Sequence, residues 1–152
     1  GAHALDILRM EKGYLHWGHD ISPGETPYEA GLNFLVKIDE NYDFVGKNSL
    51  ITKKNEQTKQ FAMFVLDKSI PGKPLLLHDE PIYYNNKIIG ETTSGNFSFN
   101  YKKNIAFGYI KNKLNLENLH NKIFEIEVAK VKYKALLIEK PLHDPKNILL
   151  KS

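Results

Sequence analysis

The stretch Pro81-Ile82-Tyr83-Tyr84-Asn85-Asn86-Lys87-Ile88-Ile89-Gly90-Glu91-Thr92-Thr93 sets the architecture of this 152-residue chain. β-branched and aromatic residues suit a pleated, half-buried surface, and two runs of them flank Asn85-Asn86. Asparagine tolerates the positive φ that both central residues of a two-residue hairpin loop require. The pair therefore predicts two antiparallel strands.

Working outward from this hairpin, further short strands follow. Ile105 to Ile110 reads as one, and Lys122 to Val128 and Val131 to Ile138 pair about Ala129-Lys130. Upstream, Gln60 to Leu66 (Q-F-A-M-F-V-L) places Phe61, Met63 and Val65 on one face, and Ile70-Pro71-Gly72-Lys73-Pro74 is a loop rich in turn formers. Five or six short strands at this spacing predict a closed or nearly closed barrel, because open edges of this kind would pair with other chains. Pro141 to Ser152 is a tail with little pattern.

The composition shifts at Asn55-Glu56-Gln57-Thr58-Lys59, and the residues before it read differently. Ala4, Leu5 and Leu8 fall at helical spacing with no start signal ahead of them, so the chain is expected to be cut from a larger one. Arg9 to Asp20 reads as extended and loop-like, since Gly13 and Gly18 break helical continuity. Thr26-Pro27-Tyr28-Glu29 is a capping box expected to open a short helix. Leu32 to Lys37 alternates as a strand would, Asp39 to Asp43 is a polar loop, and Gly46 to Lys54 predicts a short helix with Leu50 and Ile51 turned inward. The fold class is therefore α+β: a mixed helix and strand segment over residues 1–55, then a small antiparallel β-barrel over residues 56–152.

Composition bounds the function. The charge of +3 is dispersed, without the runs or stripes that mark a nucleic-acid face, and the modest basic surface suits an anionic small molecule. Cysteine is absent, so neither a disulfide framework nor a thiolate metal site can form. An apolar run long enough for a membrane span and a signal segment are both missing from the sequence, and a cytoplasmic setting is the expectation. His16, His19 and Asp20 lie within five residues but match no metal-ligand spacing, so no metal site is assigned. The glycines fit no dinucleotide fingerprint, and no G-x-S-x-G elbow is present.

The residues suited to binding cluster between Arg9 and Lys37, which hold the only Trp and two of the six His. Arg9 offers a planar donor fork for a carbonyl edge or a carboxylate; the plain alternative from spacing is a salt bridge to Asp6 or Glu11. Trp17 offers a flat face for stacking on a heteroaromatic ring, with a place in the core as the alternative, and Tyr14 is a second candidate. Glu29 is assigned to the capping box rather than to catalysis. Thr92 to Asn96 reads either as backbone that approaches a ligand or as a barrel-rim turn whose side chains bond their own backbone.

Four motifs in order, R-M-E-K-G-Y-L-H-W-G-H-D-I, T-P-Y-E-A-G-L, D-F-V-G-K-N-S-L and G-E-T-T-S-G-N-F-S-F, resemble the second half of the glycine cleavage T protein family of aminomethyltransferases. Trp17, where that family more often has Tyr, and E-P-I-Y-Y-N-N-K-I-I-G-E-T-T-S-G are more similar to the folate-binding regions of dimethylglycine and sarcosine dehydrogenases. The resemblance implies tetrahydrofolate as cofactor, Arg9, Trp17 and Tyr14 beside it, and a methylated or aminomethyl amine as donor. It also implies that the proton-handling aspartate, and FAD in a dehydrogenase parent, belong to a missing upstream part. These residues would then be half of a folate pocket, inactive alone. Two other classes stand beside this one. A non-catalytic folate-binding or assembly module would lack the upstream aspartate, and a single-stranded nucleic-acid-binding barrel would show salt-dependent binding through the Tyr101-Lys102-Lys103 region.

Overall fold

A computed structural model describes residues 1–39, 41, 43–111, 116–119 and 122–151 of the chain. Helix α1 (Ala2–Glu11) and the short helix α2 (Lys47–Lys53) precede six strands: β1 (Lys59–Leu66), β2 (Pro81–Tyr84), β3 (Lys87–Ser98), β4 (Lys103–Lys111), β5 (Ile123–Val128) and β6 (Val131–Ile138). The strands close into an antiparallel barrel in the order β1-β4-β3-β2-β5-β6, and β6 pairs back onto β1 from Met63↔Ile138 to Leu66↔Ala135. The expected barrel is thus present with six strands.

Alternation along β1 separates two cores. Ala62, Phe64 and Leu66 join Ile82, Ile126 and Leu137 in one buried cluster, the barrel interior, where the Phe64 and Phe124 rings meet edge to face at 5.3 Å. Phe61, Met63 and Val65 point the other way and pack with Ile105, Phe107 and the buried face of α1, Ile7 and Met10. The predicted one-sided row of β1 is therefore the seam between helix and barrel.

The turns follow the sequence reading. Asn85 and Asn86 have φ of 49° and 60°, and Ala129 and Lys130 have 49° and 66°, the positive values that tight two-residue hairpins need. β3 and β4 run so close that a Cβ on Gly90 would lie 1.9 Å from the Tyr109 carbonyl oxygen, which only glycine permits. A register shift between Thr92 and Ser94 marks a bulge in β3 opposite Gly108 and Phe107 of β4.

Four expectations for the N-terminal segment need correction. Arg9 to Glu11 are helical, because α1 runs on until Gly13 adopts φ +75°. The capping box forms, but Gly31 at φ +71° stops the chain after a single turn. Leu32 to Lys37 is no strand: it holds a 3₁₀ turn, Asn33–Leu35, and where β6 leaves the start of β1 unpaired, ahead of Met63, it is the Glu29 carbonyl of the capping-box turn that accepts the Phe61 N–H. Helix α2 forms as read but buries none of its residues, so Leu50 and Ile51 do not tuck inward. The polar loop expected over 39–43 lies partly outside the described residues, and no described helix is long and apolar enough to cross a membrane.

Because Phe64 is fully buried at the centre of the interior cluster, Phe64→Ala leaves a cavity that the closed barrel cannot collapse around. It is expected to lower stability by about 3–5 kcal/mol in urea titration.

Candidate functional site

A carboxylate organises the loop between α1 and the barrel. Asp20 is 1% exposed, and each of its side-chain oxygens accepts two hydrogen bonds. Oδ1 receives the hydroxyls of Thr93 at 2.6 Å and Ser94 at 2.8 Å, both from the bulge of β3. Oδ2 receives Arg9 Nη1 at 2.5 Å and the backbone N–H of His16 at 2.9 Å. The Asp20 carbonyl accepts the Tyr109 hydroxyl at 2.9 Å. Burial, followed by the nearby carboxylates of Glu25, Asp20 and Glu29, pushes that hydroxyl well above its usual range, so it stays a donor.

Arg9, in the last turn of α1, is the cation of this centre. Its Nε donates to Asp6 at 2.8 Å, Nη2 to the Ser94 hydroxyl at 2.8 Å, and Nη1 also to the Tyr14 carbonyl at 3.1 Å. The guanidinium lies 5.8 Å from the Phe107 ring centroid. The Asp6 pairing read from spacing is present, whereas Glu11 turns away to Ser98 and Asn100. Arg9 is 12% exposed at its side chain and lines a cavity of about 370 Å³ with His16, His19, Leu76 and Ser94.

Around the buried carboxylate the loop is tied closely. Gly18 N–H donates to the Ile21 carbonyl at 2.7 Å and Asp20 N–H to the His16 carbonyl at 2.8 Å, while Trp17 and Ile21 form an isolated bridge. The His16 and His19 rings stack at 4.6 Å. At the tip of this braced loop Trp17 is 66% exposed in this chain and Tyr14 is 51% exposed. Tyr14 lines a second, larger and mostly apolar groove of about 970 Å³ with Phe34, Phe61, Met63 and Pro141. Among the described residues no group of three His, Asp or Glu is placed to hold a metal ion.

The capping-box glutamate has a second task. Glu29 Oε2 accepts the Thr26 N–H and hydroxyl, each at 3.1 Å, while Oε1 reaches 29 residues along the chain to accept the Thr58 N–H and hydroxyl at 3.0 Å. Burial alone would raise its pKa, but the hydrogen bonds from Thr26 and Thr58 outweigh that and hold it down to about 2. Glu29 therefore latches the single-turn segment to the start of β1. Nearby, Lys59 pairs with Glu25 at 2.5 Å and lies 4.8 Å from the Tyr109 ring centroid.

Asp20, Thr93 and Ser94 escaped the sequence reading in this role. In the sequence Asp20 suggests only a metal ligand, and Thr93 and Ser94 send their hydroxyls not to their own backbone but to this carboxylate more than 70 residues away. The signal available was a lone acid on the far side of Gly13 and Gly18 from Arg9.

A closed six-stranded antiparallel barrel with a helix packed on its outer face defines the class of protein, and comparison with known proteins agrees. Residues 59–144 match the glycine cleavage T-protein C-terminal barrel domain, and residues 1–40 match the GCVT N-terminal domain. The chain belongs to the glycine cleavage T-protein family. It is 33% identical to mitochondrial dimethylglycine dehydrogenase of Mus musculus over 93% of this chain and 16% of that protein. It is 34% identical to the aminomethyltransferase of Prochlorococcus marinus (strain NATL2A) over 94% of this chain and 37% of the relative. Among solved structures, glycine cleavage system aminomethyltransferase T from Bartonella henselae superposes with a TM-score of 0.79 at 22% identity, covering 93% of this chain and 38% of that one. The chain thus spans well under half the length of these relatives.

The low pKa of Glu29 has a sign that can be tested. A carboxylate held at about 2 in the folded chain, against its ordinary 4.5, stabilises the fold above pH 4.5, and that contribution is lost as pH falls from 4.5 toward 2. Glu29→Gln is expected to lower stability at pH 7 by about 2 kcal/mol, allowing for solvent screening, and to flatten the acid limb over that window. Urea titrations of both proteins at pH 7, 4.5 and 3 measure the difference.

Proposed function

We propose that these residues work as the C-terminal part of a tetrahydrofolate-dependent one-carbon transfer enzyme and supply half of its folate pocket. The parent is an aminomethyltransferase or a dimethylglycine/sarcosine dehydrogenase-like enzyme. Residues 1–55 are the end of its folate-binding domain and residues 56–152 its C-terminal barrel. The family matches over 1–40 and 59–144 and the identity to dimethylglycine dehydrogenase support this reading. Its partners are folate, a methylated or aminomethyl amine donor and the remainder of the parent polypeptide, which would also hold the proton-handling aspartate and any FAD.

The observation that carries the proposal is Trp17, a large flat ring two-thirds exposed at the tip of a loop that a buried carboxylate holds still. Trp17 and Tyr14 each present an exposed ring face of the kind that suits a heteroaromatic system, and Arg9 is the cation at the base of their loop. Bound tetrahydrofolate supplies the nucleophilic ring nitrogen that takes up the one-carbon unit. Trp17 and Tyr14 would hold the ring system of a bound folate, and Arg9 would add positive charge to the same region. With Asp6, Asp20, Ser94 and the Tyr14 carbonyl already bonded to Arg9, its larger share is to keep the loop in place.

In the full polypeptide that contains these residues, Trp17→Ala is expected to weaken tetrahydrofolate binding by at least about 1 kcal/mol. Arg9→Ala should cost about 1.5–3 kcal/mol of affinity, and Arg9→Lys should not restore it, because a point charge cannot reproduce the fork. Calorimetric titration measures each, with folding checked by circular dichroism. Unchanged affinity in a folded Trp17→Ala protein would overturn the reading. The 152 residues alone are expected to turn over neither dimethylglycine nor sarcosine; turnover by them would place the proton-handling group within this chain. Folate binding without turnover by the full polypeptide would instead identify the non-catalytic module.

A further inference from the structure

We infer that Thr93 and Asp20 are positioning residues for folate binding: the β3 bulge grips the Asp20 carboxylate, and through it fixes the loop that presents Trp17. The inference rests on the folate reading above and adds residues to which neither the family matches nor the sequence patterns assign a role.

Three observations carry it. First, the bulge falls between Thr92 and Ser94, and both Thr93 and Ser94 send hydroxyls to one oxygen of Asp20. In a regular strand consecutive side chains point to opposite faces, so two neighbours reaching one atom is a consequence of the extra residue. Second, the other oxygen of Asp20 is divided between Arg9 and the His16 backbone N–H, which stands at the entry to the Trp17 turn. Rotation of the carboxylate would break all four bonds together. Third, the turn closes back onto Asp20 itself, whose N–H returns to the His16 carbonyl and whose own carbonyl is held by Tyr109 of β4. Trp17 therefore has a fixed base on both sides while its ring stays in solvent. A loop held this way binds without first having to be ordered, and its apparent affinity falls with the fraction of time it spends ordered.

The test uses the full polypeptide and two readouts: hydrogen exchange of the peptide covering residues 14–21, and affinity for tetrahydrofolate by calorimetry. Thr93→Val keeps the branched shape and removes one hydroxyl; Thr93→Ser keeps the hydroxyl; Asp20→Asn keeps the size and removes the charge. Thr93→Val and Asp20→Asn are expected to speed exchange in 14–21 and to weaken tetrahydrofolate binding about three- to tenfold, in proportion to the lost order. Thr93→Ser is expected to restore both. A residue that only stabilises the barrel would lower the unfolding midpoint without changing either readout in the folded protein. Unchanged exchange in folded Thr93→Val overturns the inference whatever the affinity does. Faster exchange with unchanged affinity also overturns it, while leaving the folate reading standing. Should the unsubstituted polypeptide fail to bind tetrahydrofolate, the folate reading falls and takes the positioning role with it, and the exchange data then report only whether the clamp holds the loop.

Discussion

A carboxylate shut away from water persists only where donors surround it, and Asp20 has four for its side chain. Those donors come from the last turn of α1, from the loop's own backbone and from the bulge of β3, so one buried charge brings three segments to one point. Removing Arg9 would leave that charge unpaired, a change that costs about 3–5 kcal/mol where it has been measured in buried pairs. The apolar seam of Ile7 and Met10 against Phe107 lies beside the same point. Helix, loop and barrel are thereby fixed in register by a polar centre and an apolar one, each supplying what the other lacks: the seam supplies burial energy, and the hydrogen bonds supply a single geometry.

How much of this could be read from the chain varies with the range of the interaction. The barrel was legible because strand runs and two-residue turns are local signals, as Asn85-Asn86 and Ala129-Lys130 show, and because six short strands have few ways to hide their edges. The region from Thr26 to Lys37 was misread for a reason that is also physical. Its capping box is real, but Glu29 spends half of its hydrogen-bonding capacity on Thr58, a residue no local pattern ties to it, and Gly31 ends the turn. The alternation of Leu32 to Lys37 suits a strand, yet pairing is a property of a neighbour, and the edge that β1 leaves open ahead of Met63 is met by the Glu29 carbonyl instead. Leu50 and Ile51 failed in the same way: their spacing on α2 describes a helix face, not what lies against it.

The site divides along the same line. Arg9 and Trp17 stood out as residue types, and the Asp6 partner of Arg9 followed from a spacing of three on one helix. Asp20 gave no comparable signal, because its partners Thr93 and Ser94 are brought near by barrel closure and a one-residue bulge. The hydroxyl-rich segment around them is plain in the sequence, but the direction of its side chains is set by the bulge, which turns Thr93 and Ser94 toward a distant acid.

Exposure and rigidity are arranged in opposition along the 14–21 loop. Leaving most of an indole in water forgoes roughly 2–3 kcal/mol of burial within this chain. The bonds beneath it work in the other direction, holding backbone that would otherwise move. An aromatic side chain has few rotatable bonds, so once its backbone is fixed it has little entropy left to lose in a contact, against about 0.5–1.5 kcal/mol for a flexible side chain at an interface. Buried polar bonds around Asp20 thus set the position of the indole face that Trp17 leaves open in this chain.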